Sequence, residues 1–387
     1  MNHYSKPILN FFFVFFLFAA PAAHAANQAI PAMPTLAASS YVLMDAATGD
    51  ILVEHNARQE LPPASLTKLM TAYLGTKEIL LGHIQEQELA TISEKAWRTG
   101  GSRMFIDVGS QVAVIDLLRG IIIQSGNDAS VALAEHIAGS EDSFASMMNA
   151  AARNLGLVNT NFVNSTGLPA EGHYSSAMDM AKLARAIIFE EPDHYSIYAE
   201  KDFEWNGIKQ QNRNLLLWRD NTVDGLKTGH TDEAGYCLVA SAERDDMRLI
   251  SVVFGAKNEA ARAAETQKLL TYGFRFFENR KFYAANQVVA SPKIWKGAQD
   301  QVQVGVTEDL TLTAVRGQAR QMEARLVLNK NLVAPVSKGQ QLGTIEIVHN
   351  DQVLRSIPAV ALHEIEKGGI FKLVWDSIAL FFFNLFN

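Results

Sequence analysis

Apolar and polar residues recur along this chain with two different periods. Between residues 65 and 189 the apolar positions are spaced by three or four, which predicts a mainly helical block. Its first helix follows Pro62 and Pro63 and is expected to begin near Ser65. Later helices are predicted over residues 112–123, 129–138, 144–155 and 176–189, and the polar segment 159–174 is predicted to be a surface loop.

Short apolar runs bounded by turn residues predict β-strands on both sides of this helical block. We expect a hairpin over residues 41–44 and 51–53, three strands over 223–228, 236–242 and 248–254, and a last helix over 269–277. This order of elements predicts an α/β (α+β) fold class, with one antiparallel sheet flanked by helices, over residues 36–278.

The pattern changes again after residue 279. Apolar residues alternate over 302–306, 310–312, 326–328 and 342–347, which predicts a small all-β domain over residues 279–362. No catalytic group of residues is found in it, so we expect a spacer or a partner-binding module.

The C-terminal segment 368–387 predicts an amphipathic helix. Its apolar side carries Ile370, Phe371, Val374, Trp375, Ile378, Phe381, Phe382, Leu385 and Phe386, and its polar side carries Lys372, Asp376, Ser377, Asn384 and Asn387. Charged residues inside a membrane-spanning segment are costly, so a helix lying on the membrane surface is favoured. A helix packed on the β domain and a true transmembrane span are the alternatives.

The N-terminus carries an export signal. Lys6 precedes the apolar run 8–20, and Pro21 and the small-residue sequence Ala23, His24, Ala25 follow it. This predicts a secretory signal peptide, residues 1–25, cut after Ala25, with an uncleaved anchor as the alternative. With no cysteine near the cut, an N-terminal lipid anchor is excluded.

The amino-acid composition argues against several classes of protein and of site. The chain has 387 residues, of which 48% are hydrophobic and 19% charged, as in globular proteins with a large core. Its net charge of -7 argues against a nucleic-acid-binding protein, which needs cations to neutralise phosphates. Cys237 is the single cysteine, so no intramolecular disulfide is possible, and its apolar surroundings predict an inert buried thiol. The histidines show no paired ligand spacing, so neither a metal nor a cofactor is expected.

The first candidate chemistry lies at the start of the helical block. Residues three apart on a helix share a face, so the Lys68 amine is expected to reach the Ser65 hydroxyl. Serine needs a neighbouring base to become a nucleophile, and a neutral lysine amine can serve. Burial and the nearby Lys227 cation are expected to lower the pKa of Lys68.

Two further motifs follow in order. Ser125, Gly126 and Asn127 occupy a helix-helix corner, where a hydroxyl can pass a proton and an amide can hold a substrate peptide group; Asp128 is expected to cap the next helix. Lys227, Thr228 and Gly229 lie on a predicted strand, whose edge can pair with an extended substrate. There Lys227 and Thr228 suit a carboxylate, and Gly229 leaves His230 placed to offer a backbone N–H.

With these three motifs the chain resembles the low-molecular-mass penicillin-binding proteins, D-alanyl-D-alanine carboxypeptidases of the penicillin-binding protein 5 type. The S-x-x-K, S-D-N and K-T-G set is the known signature of penicillin-binding proteins and of class A β-lactamases. Ser125, Gly126 and Asn127, in place of S-D-N, resemble the variant found in the carboxypeptidases. The resemblance covers nearly the whole chain, including the β domain and the amphipathic tail. It implies a serine β-lactamase/DD-peptidase-like fold and removal of the terminal D-alanine from peptidoglycan stem peptides, with β-lactams acylating the same serine.

The resemblance also implies a role for each site residue. Ser65 corresponds to the nucleophile, Lys68 to its base, and Ser125 and Asn127 to the proton relay and substrate holder. Lys227, Thr228 and Gly229 correspond to the third motif, the N–H groups of Ser65 and His230 to the oxyanion hole, and Arg213 to the arginine that helps bind the terminal carboxylate. The loop after Arg213 is one residue shorter than in the family pattern.

Three other functions stay open at this stage. A class A β-lactamase would use an E-x-x-L-N loop, which is missing between residues 159 and 193. An endopeptidase cutting D-alanyl cross-links would have the same motifs, since they do not determine the leaving group. A catalytically silent scaffold would bind peptidoglycan and membrane only.

Overall fold

The computed structural model describes residues 32–386, so the predicted signal peptide lies outside the described residues. Its first part alternates strands and helices: β1 (Ser40–Asp45), β2 (Ile51–His55), α1 (Lys68–Leu80), β3 (Leu89–Thr91), α2 (Glu94–Arg98), β4 (Gln111–Ala113), α3 (Val114–Ile122), α4 (Asn127–Ala138), α5 (Glu141–Asn154), α6 (Ala177–Glu190), α7 (Pro192–Tyr195), β5 (Asp202–Trp205), β6 (Ile208–Gln211), α8 (Leu216–Arg219), β7 (Val223–Thr231), β8 (Gly235–Arg244), β9 (Met247–Ala256) and α9 (Glu259–Phe276). Its second part is mostly β: β10 (Phe277–Tyr283), β11 (Val288–Ala290), β12 (Val304–Gly305), β13 (Leu310–Val315), β14 (Glu323–Leu328), β15 (Gln341–His349), β16 (Gln352–Ala361) and α10 (Ile370–Phe386).

A five-stranded antiparallel sheet in the order β2-β1-β9-β8-β7 forms the centre of the first part. Neighbouring residues of a strand point to opposite faces, so Val42 and Val252 pack under the helices α1, α3, α4 and α6. Leu43 and Val253 pack on the other face, against α9. The predicted antiparallel sheet flanked by helices is confirmed, and β7 and β2 are its two edge strands.

Several bounds differ from the prediction for local reasons. Helix α9 begins at Glu259, ten residues before the predicted start at 269, since Asn258 caps it by accepting from the Ala261 N–H at 2.8 Å. Its first turns are rich in alanine, so they lack the large apolar residues that mark a helical period. Helix α3 begins later than predicted because residues 111–113 pair with β3 instead. The β5–β6 hairpin, which has polar residues on both faces, was not predicted.

The second part contains a five-stranded sheet in the order β11-β12-β16-β15-β14 and a two-stranded sheet of β10 and β13. Val302, Val304, Ile345 and Ile347 form its core, as the alternating pattern predicts. Strand β16 was not predicted, and β10 begins just before the predicted boundary at residue 279. We call residues 277–367 the β domain from here on.

Helix α10 lies against the β domain through its polar side. Asp376 is 7% exposed and accepts from the Lys296 N–H at 2.6 Å, while Phe371 and Trp375 on the apolar side are 93% and 73% exposed. The helix therefore contacts the β domain, as one alternative proposed, but leaves its apolar face uncovered by the described residues. Within residues 32–386, no helix is both long and apolar enough to cross a membrane.

Candidate active site

Ser65 lies in a tight turn that leads into α1. The turn is a 3-10 helix over Ala64–Thr67, so the side chain precedes the α-helix by one turn and is partly exposed. Ala64 has a φ of 48°, a left-handed conformation that is uncommon for a residue with a Cβ. Gly167 packs on this turn: a Cβ there would lie 1.8 Å from the Ala64 carbonyl oxygen. The 159–174 loop therefore fits closely against residues 64–67, which we call the Ser65 turn.

Lys68 is the first residue of α1 and is only 1% exposed. Its Nζ lies 3.1 Å from Ser65 Oγ and 2.6 Å from Asn127 Oδ1, and it also donates to the Thr166 carbonyl. Burial, with a smaller effect of the Arg213 charge, lowers the pKa of Lys68 to about 7. At neutral pH a large fraction of the amine is consequently uncharged and able to accept a proton.

Lys227 is buried on β7, and its Nζ donates to the Thr228 carbonyl at 3.0 Å. Burial lowers the pKa of Lys227 well below its ordinary value, and the charges of Lys68, Arg213 and Arg262 lower it further. The sequence predicted that the Lys227 cation would lower the pKa of Lys68. The repulsion between the two amines instead lowers the pKa of Lys227, and Arg213 is the cation that lowers the pKa of Lys68.

The second motif lies at the corner between α3 and α4. Ser125 is buried with a φ of 61°, and Asn127 begins α4. The Asn127 side chain links two elements, since Oδ1 accepts from Lys68 and Nδ2 donates to the Gly100 carbonyl at 2.7 Å.

Asp128 does not cap α4, contrary to the prediction. Gly126 occupies the N-cap position, and no side chain caps it. The Asp128 carboxylate lies inside the first turn of α4, where it accepts from the Ala129 N–H at 2.9 Å, and it also accepts from the backbone N–H groups of Met104 and Phe105, each at 2.8 Å. It therefore holds the 100–106 segment against α4, beside the amide of Asn127.

Strand β7 lies next to the Ser65 turn. A Cβ on Gly229 would lie 3.0 Å from the Pro63 carbonyl oxygen and 3.2 Å from the Leu66 nitrogen, so the absence of a side chain permits this approach. Thr228 is buried, and the exposed His230 ring stacks on Tyr236 with 4.0 Å between ring centroids. In the described residues the outer edge of β7 has no strand beside it, which leaves room for an extended peptide.

Arg213 lies in the segment between β6 and α8 with its side chain exposed. Its charge acts on both Lys68 and Lys227, which places it on the same side of the site as the two amines. The buried Arg262 of α9 donates to the Arg213 carbonyl at 3.2 Å and thereby fixes the backbone that carries Arg213.

Three residues around the site were not expected from the sequence. Thr166 contributes only a carbonyl, which no side-chain pattern reveals. His173 Nε2 lies 2.8 Å from Thr67 Oγ1, while its Nδ1 accepts from the Val163 N–H at 3.0 Å. Arg262 lies within the alanine-rich start of α9. A charged residue among small ones is the sequence feature that could have marked it as part of the site.

A cavity of about 620 Å³ opens beside the Ser65 turn. It is lined on one side by Pro63 and Ala64, on another by Gly167 and Leu168, and at the end of β7 by Thr231. It continues the line of the β7 edge past His230.

These features form a serine-lysine pair with a buried lysine next to a strand edge, and comparison with known proteins identifies the family that shares them. The family model for D-alanyl-D-alanine carboxypeptidase matches residues 26–258. The chain belongs to the D-alanyl-D-alanine carboxypeptidase family. A second model, penicillin-binding protein 5, C-terminal domain, matches residues 277–367 of this carboxypeptidase.

Individual relatives agree with this assignment. D-alanyl-D-alanine carboxypeptidase DacA of Escherichia coli K12 is 46% identical over 90% of this chain and 89% of its own length, and DacC of the same organism is 45% identical over 90% of each chain. The crystal structure of penicillin binding protein 5 from Haemophilus influenzae superposes with a TM-score of 0.82 at 42% identity, covering 87% of this chain and 99% of that one. The predicted family is confirmed, and the chain is a carboxypeptidase of the bacterial cell wall.

Proposed function

We propose that this carboxypeptidase removes the terminal D-alanine of peptidoglycan stem peptides through an ester on Ser65. The single observation that carries the proposal is the buried Lys68 amine, 3.1 Å from Ser65 Oγ and with its pKa lowered to about 7. A serine beside a neutral amine can be deprotonated as it attacks a carbonyl.

Acylation follows from this pair. The neutral Lys68 amine takes the Ser65 proton while Oγ bonds to the carbonyl carbon of the penultimate D-alanine. The backbone N–H groups of Ser65 and His230 stabilise the oxyanion, and the bond to the terminal D-alanine nitrogen then breaks. The departing amine receives a proton by way of Ser125, and the peptide stays on Ser65 as an ester.

The rest of the site holds the substrate. The terminal carboxylate is bound by the Arg213 cation, which matches its charge, and by the Lys227 amine and the Thr228 hydroxyl, which donate hydrogen bonds to its lone pairs. Asn127 holds a peptide group of the donor. With the carboxylate at Thr228 and the carbonyl at His230, the peptide runs along β7 past Thr231 into the neighbouring cavity, which accepts the remainder of the stem.

Hydrolysis of the ester returns the enzyme to its starting state. Water attacks the ester carbonyl, Lys68 or Ser125 takes its proton, and Ser65 Oγ leaves with that proton restored. β-Lactams resemble the terminal dipeptide and acylate the same oxygen, but their ring-opened ester leaves slowly. A fast β-lactamase is disfavoured, since within residues 32–386 no glutamate that could activate water hydrogen-bonds to Lys68 or Ser65.

We further propose where the enzyme works. Cleavage of the signal peptide 1–25 would deliver it to the periplasm, and α10 would bind the periplasmic face of the inner membrane as a peripheral anchor. The exposed Phe371 and Trp375 support this, since so large an apolar face is unfavourable in water. The catalytic domain would comprise residues 36–278 and the β domain would act as a spacer between it and the membrane.

Labelling with a fluorescent penicillin tests the nucleophile. Wild type and Ser146→Ala, a control at an exposed serine of α5, should be labelled, and Ser65→Ala should not. Mass analysis of digested muropeptides then separates the activities: loss of a single D-alanine from pentapeptides supports the carboxypeptidase, and cleavage of cross-linked dimers the endopeptidase. Absence of both label and product on the folded wild type would favour the scaffold.

A further inference from the structure

Helix α10 is fixed to the β domain along most of its length. Besides the Asp376 contact with the Lys296 N–H, Lys372 forms an ion pair with Asp300. Near its other end Asn384 accepts from Asn331 at 3.0 Å, and the Phe383 ring lies 5.9 Å from the Trp295 ring. The apolar face of α10 therefore has a set orientation relative to the β-domain segments beneath it.

Those segments come close to any membrane that α10 binds. A helix with its side chains is about 10 Å thick, and an interfacial helix buries its apolar face about 5–10 Å into the lipid. The β-domain residues that touch the opposite side of α10 then lie at the level of the lipid headgroups.

Lysines are concentrated in these segments. Lys293 stacks its amine on the Trp295 ring at 3.7 Å, and Lys330 precedes the residue that contacts Asn384. Lys367 lies opposite Gly297 in a backbone bridge, next to Lys296. With Lys372 these residues form a set that we call the lysine rim: Lys293, Lys296, Lys330, Lys367 and Lys372.

The rim is positively charged on a chain that is acidic as a whole. The acidic residues of the same segments are Asp300, which pairs with Lys372, Glu364, Glu366, and the buried Asp376. Five lysines against four carboxylates leave one positive charge here, whereas the whole chain carries -7. Lys293, Lys330 and Lys367 are exposed.

We propose that the lysine rim makes the membrane partner of this enzyme an anionic phospholipid surface, with the β domain as part of the anchor. The proposal rests on the proposed attachment through α10 and adds the lipid class. Each lysine near an anionic surface strengthens binding by about fivefold, and salt screens this attraction. The apolar face of α10 binds any bilayer, and the lysine rim adds a preference for bilayers that contain anionic phospholipid.

Vesicle flotation of the chain from residue 26 onward tests this. The probes are vesicles of phosphatidylcholine alone and vesicles in which a third of the lipid is phosphatidylglycerol. We expect wild type to bind the anionic vesicles at least about tenfold more tightly, and K293Q/K330Q/K367Q to lose most of that preference while binding phosphatidylcholine as wild type does. The control K209Q/K257Q/K281Q, with lysines on β6, before α9 and on β10, should keep the preference.

The outcomes separate the two proposals. Equal binding of wild type to both vesicles, or an unchanged preference in K293Q/K330Q/K367Q, would overturn the lysine rim and leave attachment through α10 intact. If wild type floats with neither vesicle, attachment fails and the rim with it. Phe371→Ser with Trp375→Ser should abolish flotation with both. Labelling with fluorescent penicillin checks that each variant is folded.

Discussion

His173 Nε2 lies 2.8 Å from Thr67 Oγ1, which joins the 159–174 loop to the turn that carries Ser65. Because Nδ1 accepts from the Val163 N–H, the neutral ring carries its proton on Nε2 and donates it to Thr67. The same loop presents the Thr166 carbonyl to the Lys68 amine. The position of the base thus depends on a histidine outside the three motifs.

Replacement of His173 should reveal this dependence. His173→Ala removes both hydrogen bonds, so we expect acylation by a penicillin to slow about tenfold or more and the melting temperature to fall. His173→Gln can restore one donor and one acceptor and should recover most of the rate. The comparison of acylation rates at fixed pH checks this, and a His173→Ala enzyme with unchanged kinetics would show that the loop needs no such tie.

Stability should also depend on His173. Burial lowers the pKa of His173 to about 4, and the Lys68 charge contributes to the shift. The folded pKa is below the unfolded value of about 6.5, so the stabilising effect of the neutral ring is present above pH 6.5 and is lost as the pH falls towards 4. Denaturant unfolding from pH 7 to pH 4 should show a loss of about 3 kcal/mol that His173→Gln lacks. The same loss in both proteins would assign it to other groups.

The acylation rate should follow the ionisation of Lys68. With a pKa of about 7, the fraction of neutral amine rises about tenfold per pH unit below pH 7 and levels off above it. Stopped-flow measurements of acylation, under conditions in which the chemical step is rate-limiting, should show this rise of the rate with pH. Lys68→Arg stays charged and should be inactive throughout. A rate in wild type that is flat from acid to alkaline pH would rule out the amine as the base.

Arg213 should have two separable effects. Its loss in Arg213→Ala removes the cation that lowers the pKa of Lys68, so the acid limb should move to higher pH. It also removes a partner of the terminal carboxylate, so KM for a D-alanyl-D-alanine peptide should rise about tenfold. A peptide amidated at its C-terminus should show the first effect only. If the acid side of the pH profile is unchanged in Arg213→Ala while KM is raised, Arg213 acts in substrate binding alone.

The elements that carry large apolar residues at regular spacing could be predicted from the sequence, and those held by backbone contacts could not. The Ser65 helix and strands β8 and β9 carry such residues, whereas β7 has only Val223 and Leu226 as large apolar residues. Strand β16 pairs through its backbone and contains Pro358 and the charged Arg355, so its alternation is weak. In the site, Lys68 followed from helical spacing, but the Thr166 carbonyl depends on how a distant loop folds back. Arg213 as the cation acting on Lys68 depends on tertiary distance, which spacing along the chain does not encode.

Buried Glu191 should lower stability at neutral pH. Burial raises the pKa of Glu191 to about 8, well above the unfolded value of about 4.5. The folded state therefore loses stability relative to the unfolded state as the pH rises from 4.5 towards 8. Glu191→Gln removes this ionisation, so we expect a gain of about 2–3 kcal/mol at pH 7 and little at pH 4.5. Unfolding free energies of the two proteins at both pH values check it, and an equal difference at both would contradict the titration.

The contact of Gly167 with the Ser65 turn predicts that Gly167→Ala strongly destabilises the protein, whereas Gly172→Ala on the same loop destabilises it only mildly. Gly167 has a φ of 80° and a Cβ there would lie 1.8 Å from the Ala64 carbonyl, so Gly167→Ala must displace either the loop or the turn. We expect a loss of about 4 kcal/mol or more, together with loss of penicillin labelling. Gly172→Ala has the same backbone strain, with a φ of 76°, but its nearest atom lies at 3.8 Å, so it should cost only about 1 kcal/mol and keep labelling. Equal losses in the two variants would mean that strain alone, rather than contact with the Ser65 turn, makes Gly167 necessary.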